Sequence, residues 1–194
     1  MTASAPAPAY GPAVGEPPVL VDPRRWGGLI GLAGGLVFVT SYSPALGPVV
    51  TALSWIAALA LAVTTLIGHY VRPVALGSLA RPRPAALALY GACVAGEVAL
   101  IAGGSMALVA ADRAHLRPAL IALVVGLHFV PFARAFGERM FLGLGTVLTA
   151  IGVAGLALGA SVVPRAAEAS AVVAGLVLLA FSAAYARGRF APPR

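Results

Sequence analysis

From Pro84 to Ala111 the chain carries one acidic or basic side chain, Glu97, near the middle of the run. An α-helix needs about 20 residues to cross about 30 Å of hydrocarbon, so a run of this kind is long enough to span a bilayer. Comparable runs recur along the chain, separated by short segments that hold the arginines and prolines. Only 10% of the 194 residues are charged and 60% are hydrophobic, whereas a soluble domain carries about 25% charged residues. The runs are apolar on every face. They therefore read as helices, not as outer-membrane strands, which alternate apolar and polar residues over about ten positions. The expected fold class is all-α: a polytopic membrane helical bundle.

Six transmembrane helices are expected, over about 26–42, 49–71, 85–111, 118–135, 140–163 and 169–186. Pro44, Pro48, Pro118 and Pro164 fall at their boundaries, where proline is best tolerated. Short connections join spans one and two, three and four, and five and six, which predicts three antiparallel hairpins. Residues 24–189 form this domain. Residues 1–23 are rich in Pro and Ala and lack the basic start and apolar core of a cleavable signal. They are expected to be a disordered tail, with a short C-terminal tail over 190–194. The first span is short.

All 13 basic residues are arginine. Arg24, Arg25, Arg72, Arg81, Arg83, Arg134, Arg139, Arg187, Arg189 and Arg194 fall on one side of the expected topology, against Arg113, Arg117 and Arg165 on the other. Arginine accumulates on the cytoplasmic side, so both termini are expected there. Arg24, Arg25, Trp26 and Arg134 suit interfacial anchors, with guanidinium groups reaching lipid headgroups. The lipid bilayer is the expected partner. Nucleic acid is not, because the charge of +7 comes from loops and tails, not from a basic domain.

Gly27, Gly31 and Gly35 recur at every fourth position of the first span, as do Gly155 and Gly159 on the fifth. Small residues at this spacing let helix backbones approach closely. A glycine-rich composition produces such spacing as well, and the three-member series carries more weight than the pair.

Glu97 stands out because an ionised carboxylate at the bilayer centre costs several kcal/mol. It must be neutral, paired or hydrated. At 100° per residue Tyr90, Glu97 and Gly104 share one stripe, with Cys93 about 60° away, and this stripe should point into the bundle. In the fourth span, GLHFVPFARAFGER, His128 lies at nearly the depth of Glu97, so the two are candidate partners. Pro131 cannot donate to the carbonyl of Leu127 and should kink the helix beside His128. Structural packing, a proton or solute pathway, and a catalytic or cofactor role all remain open for this pair.

No metal site is expected, because His69 and His115 lie near span ends, away from the depth of His128. The same spacing denies a membrane haem its two facing histidines, and no cofactor is expected. No G-x-S-x-G, H-E-x-x-H or G-x-x-x-x-G-K motif is present, so an enzyme is not favoured.

The stretch GLHFVPFARAF resembles the His-Phe-x-Pro segment of small multi-pass bacterial inner-membrane proteins of uncharacterised function. The resemblance implies a bacterial plasma membrane location and carries over no catalytic residue. Two functional classes follow. One is a structural or accessory membrane subunit with a buried Glu/His pair, acting as a homo-oligomer or within a larger complex. The other is a small transporter or proton-coupled permease using Glu97 and His128.

Overall fold

The structure, a computed structural model, describes residues 16–76, 83–161 and 163–190, apart from the side chain of Arg139. Residues 1–15 of the expected tail, with Arg81 and Arg194 of the orientation pattern, lie outside the described residues. Among the described residues six α-helices form: α1 (Pro23–Tyr42), α2 (Pro48–Leu66), α3 (Pro84–Ala110), α4 (Arg117–Phe136), α5 (Arg139–Ala160) and α6 (Ala166–Ala186). All six are long and apolar enough to cross a membrane.

The first span is not short. The Asp22 carboxylate caps α1 by accepting from the Arg24 amide at 2.9 Å, so the helix starts at Pro23. A 3₁₀ turn over Ser43–Leu46 then extends the rod, giving 24 residues from Pro23 to Leu46. Proline without an N–H is harmless in a first turn, and α1, α2 and α3 each open with Pro23, Pro48 or Pro84. Gly47 makes the turn between α1 and α2 at φ 94°, a backbone region open mainly to glycine.

The end of the bundle that carries the α1–α2, α3–α4 and α5–α6 connections is here called the hairpin end. The opposite end holds the start of α1 and the finish of α6 and is called the termini end. At the hairpin end Arg165 donates to the carbonyl of Ala45, and the His115 ring lies 3.3 Å from the carbonyl of Gly159.

The hairpins are present, but the closest packing runs between them. α6 is the centre: 61% of its span is buried, against 6% for α3. Its small residues Ala167, Ala171, Ala174, Gly175 and Ala183 let α1, α2, α4 and α5 pack around it. One core cluster joins Phe38 of α1, Ala122 of α4, Leu144 and Leu148 of α5 and Ala174 and Leu178 of α6. A second joins Val39, Ala58 and Leu179.

Glycines decide these approaches. An ideal Cβ at Gly35 would stand 2.8 Å from the carbonyl oxygen of Gly175, and one at Gly175 would stand 2.7 Å from that of Gly35. The α1–α6 crossing therefore excludes a side chain from both helices. Gly31 meets Ser182, and Gly155 and Gly159 meet Ser170, Ala119, Leu116 and Ala167, so these expected packing glycines sit at helix contacts. Gly27 does not: nothing lies within 4 Å of its would-be Cβ. A strict four-residue repeat drifts by about 40° per step on a helix of 3.6 residues per turn. The working stripe is Gly28, Gly31 and Gly35, with Gly28 against the His69 ring. Gly126, Gly145 and Gly152 bring α4 and α5 together in the same way.

Candidate functional site

α3 lies at the rim. It packs on α4, has no buried residue anywhere along its 27 residues, and meets no other helix in a comparable contact. Its half-buried positions, Cys93, Glu97, Gly104 and Leu108 among them, repeat at spacings of four and seven and form the face toward α4. A Cβ at Gly104 would stand 2.8 Å from the Leu120 side chain, which sets the closest approach of the two helices. The expected stripe thus faces a single neighbour, not a multi-helix interior, because α6 already occupies the centre.

Glu97 and His128 do come together. Oε2 of Glu97 lies 3.4 Å from Nδ1 of His128, with side-chain exposures of 20% and 13%. The approach falls within ion-pair range, yet its geometry gives no hydrogen bond, and Nδ1 is buried with no hydrogen-bond partner among the described residues. The pair is therefore an electrostatic near-contact at the α3–α4 seam.

Aromatic rings surround it. Phe129 and Phe132 lie 4.2 and 5.1 Å from the His128 ring between centroids, and Phe129 stacks on Phe141 of α5 at 5.8 Å. Tyr90 stacks on Phe132 at 5.2 Å, so the ring belongs to this collar. Cys93 is half-buried and free. Pro131 sits inside α4, where it withholds an N–H from the carbonyl of Leu127 one residue before His128.

The four expected anchors divide. Trp26 is 56% exposed, its indole N–H donating to the carbonyl of Leu20 at 3.0 Å. Arg134 is exposed and borders a hollow of about 240 Å³ lined by Val130, Ala133, Gly137 and Leu142. Arg24 and Arg25 instead turn onto the protein. Arg24 grips the Asp22 carboxylate with Nε and Nη2 at 3.0 and 2.8 Å and donates from Nη1 to the carbonyl of Leu76. Arg25, only 2% exposed, donates to the carbonyls of His69 and Val74, each at 3.0 Å. The reason is the last turn of α2. It widens into a π turn over Ile67–Val71, and the connector beyond it runs across the end of α1, presenting carbonyls to the arginine pair.

This termini-end cluster was not foreseen in the sequence. His69 at its centre is 0% exposed, and neither ring nitrogen has a hydrogen-bond partner among the described residues. Its neighbours are the Gly28 backbone, the Arg25 head and the ring edges of Tyr70 and Tyr185 at 6.1 and 6.4 Å. The available signal was the arginine doublet at 24–25 together with GHYVR at 68–72. The cluster lies at a span end, away from the depth of His128. Burial would raise the Asp22 carboxyl, but the hydrogen bonds and charge of Arg24 prevail and hold it below the usual carboxylate range. Glu138, before α5, is pushed up by burial.

Among the described residues no three His, Cys, Asp or Glu side chains assemble into a metal-binding group. A second hollow, of about 390 Å³, lies at the hairpin end between His115 and the Ser161–Glu168 segment. Comparison with known proteins finds no matching family model, curated relative or solved structure. Fold and site together define a class: an all-α bundle of six membrane-length apolar helices with one polar seam at its rim.

Proposed function

We propose that the chain is a structural or accessory subunit of the bacterial inner membrane, with both termini in the cytoplasm, whose α3 docks a further transmembrane helix. One observation carries this reading: a 27-residue helix with no buried residue, attached to the bundle mainly by α4 and the turn that leads into it. Ala95, Ala99 and Gly103 lie on the exposed side of α3, within about 80° of one another at 100° per residue. Nothing lies within 4 Å of the would-be Cβ of Gly91 or Gly103. Close helix approach in lipid depends on such small residues. Gly28, Gly31 and Gly35 of α1 and Gly145, Gly152, Gly155 and Gly159 of α5 are, by contrast, occupied within the bundle. Ten arginines against three support the orientation, and the resemblance of GLHFVPFARAF supports the compartment.

Single cysteines placed at Ala95 or Ala99 in a Cys93→Ala background test the reading by cross-linking in native membranes. A discrete adduct is expected from these positions and not from Val37 on the lipid side of α1. A protein that stays uncross-linked and extracts alone as a monomer refutes it.

The 3.4 Å approach of Glu97 to His128 favours a second reading, a small transporter or proton-coupled permease. Glu97→Gln and His128→Ala should then abolish proton-coupled flux in proteoliposomes while the helical signal is unchanged. Flux equal to that of the unsubstituted protein removes this alternative.

A further inference from the structure

At the termini end, three separate segments are held by one group of side chains. The start of α1 supplies Arg24 and Arg25, the π turn that ends α2 supplies His69, and the connector after it supplies the carbonyls of Val74 and Leu76. α6 closes the arrangement, with Tyr185 against the His69 ring and Gly188 where an added Cβ would meet Val74 at 2.8 Å. The connector is thereby clasped by hydrogen bonds from two guanidinium groups, and His69 is packed beneath it.

His69 makes none of these bonds through its ring. A neutral imidazole carries one N–H and one lone pair, and here both nitrogens are buried without a partner. A buried polar group normally finds a partner. What surrounds the ring leaves no place for a positive charge. On α1 stand Gly28, which leaves no space for a side chain, and Arg25, a cation whose Nη1 binds the carbonyl of His69 itself. Asp22 lies nearby, but its carboxylate is already taken by Arg24 in two hydrogen bonds. α6 offers Tyr185, α2 offers Tyr70, and the start of α5 places Glu138 within electrostatic reach of Arg24 and Tyr185.

We propose that His69 is a proton-operated release for this clasp: on taking up a proton it becomes a second cation beside Arg25, and the connector over 72–76 lets go. The π turn supports this role. Its wide bonding, with the Arg72 amide donating to the carbonyl of Ile67 at 2.8 Å, interrupts the regular ladder of α2 where the connector begins. The release concerns the termini end and is independent of any helix docked on α3.

The size of the effect follows from linkage. The clasped state accommodates the neutral ring, while a released His69 titrates near the ordinary histidine value of about 6.5. The opening equilibrium then grows with acidity, by about 1.1-fold at pH 7.5 and about 30-fold at pH 5.0 relative to high pH.

Hydrogen exchange of the full chain in lipid nanodiscs, corrected for intrinsic rates, reads this opening in peptides spanning 67–76. Protection there should fall roughly 30-fold between pH 7.5 and 5.0, while the middle of α6 stays protected. His69→Phe should abolish the difference, and His69→Gln, polar but without a proton to gain, should do so where Phe is not accommodated. Glu138→Gln should retain it, because that carboxyl titrates on the same acid side without touching the ring. Equal protection at both pH values in the unsubstituted chain overturns the proposal, as does a pH response that survives in the histidine variants.

Discussion

Replacing Gly35 with Ala tests how α1 meets α6. The added methyl would stand 2.7 Å from Cγ of Leu179 and 2.8 Å from the carbonyl oxygen of Gly175. Carbon contacts settle near 3.5–4.0 Å, so the two helices must separate by roughly 0.7 Å or more. Overpacking of this kind costs about 1–3 kcal/mol, while alanine regains about 0.5–1 kcal/mol of helix propensity over glycine. The net loss is centred on about 1 kcal/mol and reaches at most about 2.5 kcal/mol, a factor of about 5 rising to about 70 in the folded fraction. Gly27→Ala differs only in position. Nothing lies within 4 Å of that methyl, so it should leave stability unchanged or raise it by up to about 1 kcal/mol. Reversible unfolding in bicelles, followed by steric trapping, measures both. Gly175→Ala should match Gly35→Ala, and the double variant should lose less than the two losses added together, because one separation relieves both clashes. Equal effects at positions 27 and 35 would refute the reasoning, since a plain four-residue stripe treats the two alike.

Arg25→Gln removes two charge-assisted bonds to buried carbonyls, each worth about 1.5–3 kcal/mol, so bicelle unfolding should show a loss of several kcal/mol. Arg134→Gln, at an exposed side chain, should change stability by less than about 0.5 kcal/mol in the same assay. The Asp22 carboxyl is held below its ordinary value of about 3.9. Its contribution is therefore complete above that value and disappears as pH falls through the lower value of the folded state. Unfolding measured between pH 5 and pH 2 should show this slope, and Asp22→Asn should lack it. Glu97→Gln keeps the shape of a side chain that makes no hydrogen bond to His128, so stability should shift by less than about 1 kcal/mol. A larger loss would show that the charge itself holds the seam.

Helix number and placement were legible in the sequence because membrane thickness fixes the length of an apolar run and proline marks the turns. Glu97 and His128 were legible for a related reason: in lipid few polar residues exist, and two at one depth have few other companions. The inward turn of Arg24 and Arg25 was not. An arginine doublet before an apolar run has the same composition whether it meets headgroups or a neighbouring connector, and only the path of 72–76 across the end of α1 decides. Gly28 was passed over for Gly27 because a regular repeat in the letters is not a straight line on a helix. Asp22 as the cap of α1 was hidden by the Pro/Ala-rich segment before it, although Asp-Pro is a strong start signal.

The sharpest division between sequence and structure concerns which helix is central. α3 and α6 both pass as membrane spans, yet α6 is mostly buried and α3 is not. In water the more apolar helix would go inside, but lipid tails are as apolar as leucine, so that driving force is absent between helices. What remains is how closely backbones can pack. α6 pairs small residues with complementary positions on its neighbours: Gly175 with Gly35, Ser170 with Gly155, Ser182 with Gly31. The small residues on the outer side of α3 face no counterpart within the chain, as the open space at Gly91 and Gly103 records. Centrality in this fold is thus a property of matched pairs across two helices. A single helix read alone cannot reveal it, and the unmatched stripe on α3 is what gives the accessory reading its physical content.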